Sequence, residues 1–411
     1  MQTADVVVIG AGVAGLSCAR ELARQGRAVV VLEARDRVGG RIWTLRLPGL
    51  APVELGAQVI HGAQAATWDV IRDAGLQAAP FAQGGDMALA ADGQVYPVRD
   101  VVRAGVPPWA VEPLLCRMDP PDRPAAEVLS GLGIAGVSHT LAVEWLAQTW
   151  CADPADLSAA GICRVRAAAQ AGPGEFTVVG GYDQVPQRLA DGLAVYLNTP
   201  VQEVYWEPGR VEVATPAERW QAQAAVVTVP PPVVAAGRLP FNPPLPEEKR
   251  AAAGRLLLGD ALVVVAQLTE PAPRSSWAFI AGQAGGFWQT AAGVPLLTGW
   301  MKGPATGAAR KLAAQGELVP RGAGSVFAWL RPELIAGVQV VDWGSDPYAG
   351  GGYSYPRVGA LDQPGIWAAS VAGTLFFAGE ATCGDRHLGL VNGALESGRR
   401  AAREVAALGG G

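Results

Sequence analysis

Apolar residues at the start of the chain follow two different spacings, which predict a strand, a helix and a second strand. Residues 5–9 form a short apolar run, as expected of a parallel strand buried on both faces. A helical pattern follows over about residues 13–25, and Gly26 stands where a glycine commonly ends a helix. Residues 28–33 form a second apolar run, which ends on Glu33. The pattern therefore predicts a strand–turn–helix–strand unit of an α/β protein.

The turn between the first strand and the helix has the spacing G-x-G-x-x-G. Gly10 allows the tight turn, Gly12 lets the backbone approach a diphosphate, and Gly15 lets the helix and strand pack closely. The diphosphate would lie at the positive end of the helix. Glu33 stands where a carboxylate can accept hydrogen bonds from a ribose. The unit predicts a bound dinucleotide, but the glycine turn alone does not choose between NAD and FAD.

Residues 33–41 favour FAD over NAD as the bound dinucleotide. Residues 33–41 read E-A-R-D-R-V-G-G-R and resemble the E-A-x-x-R-x-G-G-R extension of FAD-dependent amine oxidases, the monoamine and polyamine oxidases. The resemblance implies that Gly40 and Arg41 close over the FAD phosphates. A guanidinium group is also chemically suited to hold phosphate oxygens with two parallel hydrogen bonds. The alternative is a solvated cluster of charges.

Two further segments resemble parts of the same family. Residues 53–62 are similar to the E-L-G-A-x-x-I-H-G segment of polyamine oxidases, which passes over the flavin ring. The resemblance implies that His61 can face the substrate, although a histidine taken alone is more often structural. Residues 201–204 resemble the segment whose backbone touches the adenine, which gives that role to Val201.

The end of the chain resembles the family as well. Residues 374–380 form an apolar run that ends in F-A-G-E, and the resemblance implies that Glu380 holds the ribityl chain. A helix is predicted over about residues 390–407, with its positive end directed at the flavin pyrimidine. The predicted cofactor-binding residues are Gly10, Gly12, Ala14, Gly15, Glu33, Ala34, Arg35, Gly40, Arg41, Gly56, Ala57, Gln58, Val201, Gly379, Glu380, Leu390 and Val391.

The catalytic positions depart from the family in three ways. Monoamine oxidases attach FAD through a cysteine at the position of Gly352, so the FAD is expected to be non-covalent. The lysine that holds a water near flavin N5 is replaced by Val263, which predicts slow reoxidation by oxygen. Of the two aromatic walls that enclose the amine, one is Tyr353 and the other has become Leu390. The predicted catalytic residues are Tyr353, His61, Leu390 and Val263.

The resemblance implies an α/β fold with a Rossmann-type FAD-binding domain, built from discontinuous segments, and a second, α+β substrate-binding domain. The predicted FAD-binding segments are 1–80, 176–252 and 346–411, and the predicted substrate-binding segments are 81–175 and 253–345. The expected reaction is oxidation of the C–N bond of an amine to an imine, by hydride transfer to flavin N5. The alternatives are flavin-dependent C–C dehydrogenation of a hydrophobic substrate, as in desaturases, and a protein in which FAD is only structural.

Composition excludes several other classes of protein. Of the 411 residues 50% are hydrophobic and 17% charged, which argues against disorder, and a net charge of −5 without a basic tract argues against nucleic acid. The expected partners are therefore a small amine and oxygen or another electron acceptor. Five cysteines and three histidines show no metal-ligand spacing, and the odd number of cysteines suits a reducing compartment. Without a secretory signal or a run of 18 apolar residues, the predicted location is cytoplasmic, with no membrane anchor.

Overall fold

A five-stranded parallel sheet holds the glycine turn. The computed structural model describes residues 1–81 and 84–409, so residues 82–83 and 410–411 of the predicted domain segments lie outside the described residues. The strands draw on the start, the middle and the end of the chain, which explains why the fold is discontinuous in sequence. Their spatial order is Ala194–Tyr196, Val29–Leu32, Val6–Ile9, Ala224–Val227 and Leu375–Phe377.

Each face of this sheet is covered by a different layer. Val6 and Val8 pack against the helices on one face, while Val7 and Ile9 pack in a separate cluster on the other. All four side chains are buried, which explains the unbroken apolar run. The first face is covered by helices Val13–Arg24, Gln184–Ala190, Val391–Ala406 and Thr67–Asp73. The second is covered by helices Pro231–Ala235, Glu247–Arg255 and Gln363–Ala368, and by the strands Gln2–Thr3, Arg219–Ala222, Arg210–Ala214, Glu203–Glu207 and Phe241–Asn242.

The second large sheet of the chain has seven strands. Its strands, in spatial order, are Ile335–Asp342, Ala261–Leu268, Leu296–Lys302, Gly286–Thr290, Ser276–Ile280, Asp86–Ala91 and Gln94–Pro97. Helices Ala305–Ala314 and Leu318–Arg321 pack on one of its faces. Short strands complete the architecture: Thr44–Leu45 pairs with Val53–Glu54, and Glu175–Val178 pairs with Ile60–His61 and Ala78–Pro80.

Two strands of the large sheet come from the predicted substrate-binding segment 81–175. Asp86–Ala91 and Gln94–Pro97 form a hairpin whose turn is Asp92-Gly93, both with positive φ (52° and 74°). Asp-Gly is a preferred pair for a two-residue hairpin turn, and it is the signal that could have revealed these strands. The helices of this region are Val98–Ala104, Val111–Cys116, Ala125–Ser130, Gly136–Trp150 and Ala159–Ala168.

The cysteines do not all behave as the sequence predicted. Cys116 and Cys163 form a disulfide with their Cα atoms 5.2 Å apart. The bond joins two helices whose contact the cysteine spacing does not reveal, and it differs from the reduced thiols expected of a reducing compartment. Cys18 and Cys151 are buried free thiols. No helix within residues 1–81 and 84–409 is long and apolar enough to cross a membrane.

Lys249 should stabilise the fold strongly. Its side chain is buried, and Nζ donates hydrogen bonds to the carbonyl oxygens of Ile366 (3.2 Å), Trp367 (2.8 Å) and Ala369 at the end of a helix. Lys249→Met is expected to lower the free energy of unfolding by about 2–4 kcal/mol, because buried carbonyls lose their donor. Urea unfolding measures the change. Lys311→Met, on an exposed helix position, is the control, and equal unfolding midpoints in the two variants would contradict the expectation.

Candidate active site

The glycine turn leaves open space at the start of helix Val13–Arg24. Gly10 has a φ of +106°, and a Cβ on Gly15 would lie 2.0 Å from the carbonyl oxygen of Gly10. At Gly12, by contrast, a Cβ would meet no described atom within 4 Å. Gly12 is also the N-cap, and within the described chain no side chain caps this helix. Its first N–H groups, including that of Ala14, are thus suited to bind an anion.

The strand that ends at Leu32 places Glu33 beside this turn. Glu33 is 6% exposed, and its carboxylate accepts hydrogen bonds from the N–H groups of Ala11 (2.7 Å) and Arg35 (2.9 Å). The Glu33 N–H donates to the carbonyl of Tyr196 on the edge strand. Val201 lies five residues beyond Tyr196, just before the strand that starts at Glu203. The carboxylate is therefore held rigidly at the open end of the sheet.

Arg35 has a protein partner in this structure. Its guanidinium lies 2.6 Å from the Asp346 carboxylate and 5.3 Å from the centroid of the Tyr348 ring. The hydrogen bond from Arg35 offsets burial and holds the pKa of the Asp346 carboxyl below its usual range, although burial alone would raise it. Ala34 lies between Glu33 and Arg35 in the same bend. The pair joins the first and last predicted segments of the FAD-binding domain.

The second glycine pair packs against the first turn. The N–H of Gly39 donates to the carbonyl of Ala11 (2.9 Å), and Gly39 is paired with Gly12 in a short parallel bridge. Both Gly39 and Gly40 have positive φ (101° and 57°), which explains the need for glycine. The two glycine motifs thus line one opening, and Arg41 follows at its edge.

A buried cluster around Glu380 connects Arg41 to the end of the chain. Arg41 Nη1 donates to Glu380 Oε1 (2.7 Å) and to the carbonyl of Gly352 (2.9 Å). Glu380 also accepts hydrogen bonds from Ser354 Oγ (3.0 Å) and from the Gly389 N–H (3.0 Å). One carboxylate therefore fixes three separate loops.

The carboxyl end of strand Leu375–Phe377 provides a second open space. Gly379 has a φ of +137°, and no described atom would lie within 4 Å of a Cβ there. Its N–H donates to Ser397 Oγ (2.9 Å) on the C-terminal helix. That helix packs so closely on the first that a Cβ on Gly398 would lie 2.2 Å from the carbonyl of Ala14.

Tyr353 packs beside the residue that precedes Leu390, at the start of the C-terminal helix. A Cβ on Gly389 would lie 3.3 Å from Tyr353 Cδ2, so the tyrosine ring packs directly beside the residue before Leu390. Leu390 is the N-cap of that helix and Val391 its first residue; among the described residues no side chain caps it. The Tyr353 hydroxyl donates to the carbonyl of Thr149 (2.8 Å), and burial raises the pKa of this phenol.

Val263 lies in an apolar cluster beside this point. It is 4% exposed and packs with Leu55 and Trp343, and Tyr353 packs against the same cluster. Trp343 Nε1 donates to the carbonyl of Leu55 (2.7 Å). Gly56 and Ala57 follow, with the Ala57 N–H bonded to the Arg41 carbonyl (3.1 Å), and Gln58 is half-buried.

His61 lies at the edge of the site rather than in the Tyr353 cluster. Its Nδ1 is 3.2 Å from Glu175, both side chains being about half exposed (45% and 50%). This contact with His61 lowers the pKa of the Glu175 carboxyl. The His61 carbonyl accepts a hydrogen bond from Asn392 (3.0 Å), near the start of the C-terminal helix.

One charged residue at the site was missed from the sequence. Lys302 Nζ lies 3.3 Å from the Tyr353 hydroxyl. The resemblance to the family points to Val263 at the position of the lysine and gives no role to Lys302. Lys302 lies on the neighbouring strand, Leu296–Lys302. That strand is adjacent to the strand of Val263 because Val263 pairs with Trp300, and the sequence pattern does not reveal this pairing.

These features fit a dinucleotide that lies across the carboxyl end of the parallel sheet. They are the open spaces at Gly12 and Gly379, the two helix starts that no described side chain caps, and the Glu33 carboxylate. With Arg41 and Glu380 between them, the arrangement defines a flavin-binding oxidoreductase. Residues 13–406 match the family model of flavin containing amine oxidoreductases, and the chain belongs to that family. The predicted fold class, with a Rossmann-type FAD-binding domain and a substrate domain, is thereby confirmed.

The relatives agree with this assignment over almost their whole length. A putative flavin-containing monoamine oxidase of Mycobacterium tuberculosis is 29% identical, covering 99% of this chain and 97% of that protein. An L-amino acid dehydrogenase of Synechocystis is 25% identical, covering 98% and 95%. A redesigned putrescine oxidase superposes with a TM-score of 0.81 at 22% identity, over 99% of both chains. Cyclohexylamine oxidase from Brevibacterium oxydans gives a TM-score of 0.77 at 21% identity, over 98% and 99%.

The protein is therefore an FAD-dependent oxidoreductase of the amine oxidase type, and its FAD is non-covalent. Gly352, at the position where a cysteine attaches FAD in monoamine oxidases, has no side chain that could form such a bond. Within the described part of the chain, no group of His, Cys, Asp and Glu side chains could hold a metal ion.

Proposed function

We propose that this enzyme oxidises the C–N bond of a small amine to an imine, which water then hydrolyses. The observation that carries the proposal is the position of Tyr353. Its ring packs beside Gly389 at the start of the C-terminal helix and against the apolar cluster of Val263. An aromatic face at this point orients an amine, and the apolar surroundings exclude water.

When bound, FAD would supply the redox chemistry, taking up a hydride from the substrate and returning two electrons to an acceptor. The chain's own residues would bind and orient. Arg41 and Glu380, which are bonded to each other, would hold the cofactor between the two glycine motifs, and the start of the helix at Val391 would offer partial positive charge to the reduced ring. Leu390 forms the second, non-aromatic wall. His61 stays a predicted substrate-facing residue at the rim, with Glu175 as its partner.

A second candidate function is C–C dehydrogenation of a hydrophobic substrate. The apolar side chains of Val263 and Leu390 favour it, because both replace groups that the family uses around an amine. The aromatic ring of Tyr353 and the segment around His61 favour the amine. We therefore propose amine oxidation as the first candidate function and C–C dehydrogenation as the second.

The proposed division into domains follows the two large sheets. The parallel sheet takes its strands from within segments 1–80, 176–252 and 346–411, and the seven-stranded sheet from within 81–175 and 253–345. This supports the predicted boundaries. The cytoplasmic location also stays a prediction, and the Cys116–Cys163 disulfide weighs against it, since such bonds are more typical of oxidising compartments.

The proposed function is tested by anaerobic mixing of the purified enzyme with primary amines and with polycyclic alkenes. Bleaching of the oxidised flavin band by at least one amine is the expected result. Bleaching by alkenes alone would establish the second candidate, and a flavin that neither class bleaches would contradict both. Air admitted afterwards then reports on the acceptor, and the rate of recovery tests the slow reoxidation that Val263 in the place of the family's lysine predicts.

A further inference from the structure

In the part of the chain that the structure describes, one disulfide, between Cys116 and Cys163, joins helices Val111–Cys116 and Ala159–Ala168. Both cysteines are partly exposed, so a small dithiol can reach the bond from solvent. The other three cysteines are free thiols, and burial raises the pKa of each to about 12, which makes them unreactive at neutral pH. Thiol chemistry in this protein is therefore concentrated at the junction of these two helices.

The first of these helices holds the end of helix Gly136–Trp150. The buried Glu112 accepts a hydrogen bond from Trp150 Nε1 (3.1 Å). Trp150 is the last residue of its helix, and the carbonyl of the preceding residue, Thr149, accepts the hydrogen bond of the Tyr353 hydroxyl (2.8 Å). The first helix therefore positions the acceptor that orients the Tyr353 ring.

The second helix holds the other side of the same ring. Its Arg164 follows Cys163 and lies 2.7 Å from the Asp385 carboxylate, in the segment that leads to Gly389. A Cβ on Gly389 would lie 3.3 Å from Tyr353 Cδ2. The two disulfide-linked helices are thus connected, through one residue pair each, to the segments on both sides of the Tyr353 ring.

Apart from the disulfide, the described contacts between the two helices are one ion pair and a set of apolar side chains. Arg166 Nη1 lies 2.8 Å from Glu112 Oε2, and Val111 and Ile162 belong to one apolar cluster. The cysteines are 47 positions apart, and the loop that their bond closes contains the whole of helix Gly136–Trp150. Opening the bond therefore frees both helices to shift, since the chain between them is no longer closed into a loop.

We propose that the Cys116–Cys163 bond is a redox switch for substrate binding at Tyr353. This inference rests on the proposed function, because it places an amine beside Tyr353. In the reducing step a dithiol gives two electrons and two protons to the bond: the S–S bond breaks, Cys116 and Cys163 become thiols, and the dithiol closes to its own disulfide. A small disulfide reverses the step by the same exchange.

The switch acts on the substrate and not on the cofactor. In the oxidised enzyme the Tyr353 ring is held in place for the amine, and in the reduced enzyme the same ring is held more loosely and the amine binds more weakly. Neither disulfide-linked helix contributes a predicted cofactor-binding residue, so FAD stays bound in both states.

The test compares the affinity of the FAD-loaded enzyme for an amine in the two redox states. The enzyme is oxidised with glutathione disulfide or reduced with dithiothreitol, and excess reagent is removed under nitrogen. The probe is 2-phenylpropan-2-amine, whose carbon beside nitrogen bears no hydrogen, so that it is not oxidised there. Its Kd is read from the change in the flavin absorption spectrum. Reduction should raise this Kd about fivefold or more, the usual range for coupled sites, without release of FAD, and reoxidation should restore it.

Three variants show whether the effect belongs to this bond. The double variant Cys116→Ser/Cys163→Ser should have the weaker Kd of the reduced enzyme under both conditions. Cys383→Ser keeps the bond and, as the matched control, should respond as the wild type does. Arg164→Ala removes the link to Asp385 and should raise the probe Kd of the oxidised enzyme while FAD affinity stays unchanged.

Two results would overturn the switch. One is a disulfide that only stabilises the fold: reduction would then lower the urea midpoint of unfolding and leave the probe Kd as it was. The other is a thiol titration of the unfolded protein that finds all five cysteines free after treatment with glutathione disulfide, instead of the three that the structure leaves free.

Failure of the switch is distinguishable from failure of the proposed function. Bleaching of the flavin by an oxidisable amine, together with one probe Kd in both redox states, would leave the proposed function standing and remove the switch. An enzyme that no amine bleaches and that binds the probe in neither state would overturn the proposed function, and this inference with it.

Discussion

Gly12→Ala is expected to weaken FAD binding severely in a protein that still folds, whereas Gly15→Ala is expected to destabilise the fold itself. The two glycines belong to one motif but differ in their surroundings. A Cβ at position 12 would meet no described atom within 4 Å, and Gly12 has φ and ψ of −70° and 173°, which any residue can adopt. A Cβ at position 15 would lie 2.0 Å from the Gly10 carbonyl oxygen and 3.1 Å from Val8.

The magnitudes follow from these contacts. In the apoprotein Gly12→Ala should change the free energy of unfolding by no more than about 1 kcal/mol, the size of an N-cap effect. Its Cβ would take the space proposed for the diphosphate, so the FAD affinity should fall by about 3 kcal/mol or more, which is about a hundredfold or more in Kd. Gly15→Ala should cost about 3 kcal/mol of stability before any cofactor is added.

Urea unfolding of the apoproteins and FAD titration separate the two effects. Gly26→Ala, at the other end of the same helix, is the control for FAD affinity, because a Cβ there would meet no described atom within 4 Å; its φ of +80° makes alanine strained, so it is no control for stability. Normal FAD affinity in Gly12→Ala would mean that the dinucleotide does not cross the glycine turn. An apoprotein of wild-type stability in Gly15→Ala would contradict the packing argument.

Sequence alone predicted the elements that depend on local pattern. The first strand, the glycine turn and the helix occur as Val6–Ile9, Gly10–Gly15 and Val13–Arg24, because each is determined by neighbouring residues. The helix predicted over about residues 390–407 spans Val391–Ala406. Chemical motifs with fixed spacing were equally readable, since Glu33 lies at the strand end that its spacing predicted.

The features that sequence did not reveal all depend on distant pairings. Lys302 reaches Tyr353 through the register of two strands whose partners cannot be inferred from two apolar runs. The Cys116–Cys163 bond depends on the packing of two helices whose cysteines are 47 positions apart in the sequence. The Arg41–Glu380 pair joins residues 339 apart in the chain. In each case the sequence shows the type of residue, but it does not show which distant residue lies beside it in the fold.

Arg41→Ala is expected to lower FAD affinity by about 2–5 kcal/mol, the typical effect of truncating one side of a desolvated charge pair. The predicted partner of Arg41 is the FAD phosphate, and the structure also shows Arg41 bonded to Glu380 (2.7 Å) and to the Gly352 carbonyl (2.9 Å). The arginine is 26% exposed and the glutamate 6%. Its loss would therefore remove the predicted cofactor contact and leave a buried carboxylate whose donors, among the described residues, are only Ser354 and Gly389.

A double-mutant cycle distinguishes these two consequences. FAD Kd values of Arg41→Ala, Glu380→Gln and the double variant should be non-additive by about 1 kcal/mol or more, because the side chains are in direct contact. Arg164→Ala, which breaks a more exposed pair with Asp385 (2.7 Å), should leave the Kd unchanged. If Arg41→Ala folds and binds FAD as the wild type does, Arg41 belongs to a structural charge cluster and contributes nothing to the cofactor. If Arg41→Ala weakens FAD binding equally in the wild-type and the Glu380→Gln background, Arg41 acts on the phosphates directly. Its bond to Glu380 then has no influence on FAD affinity.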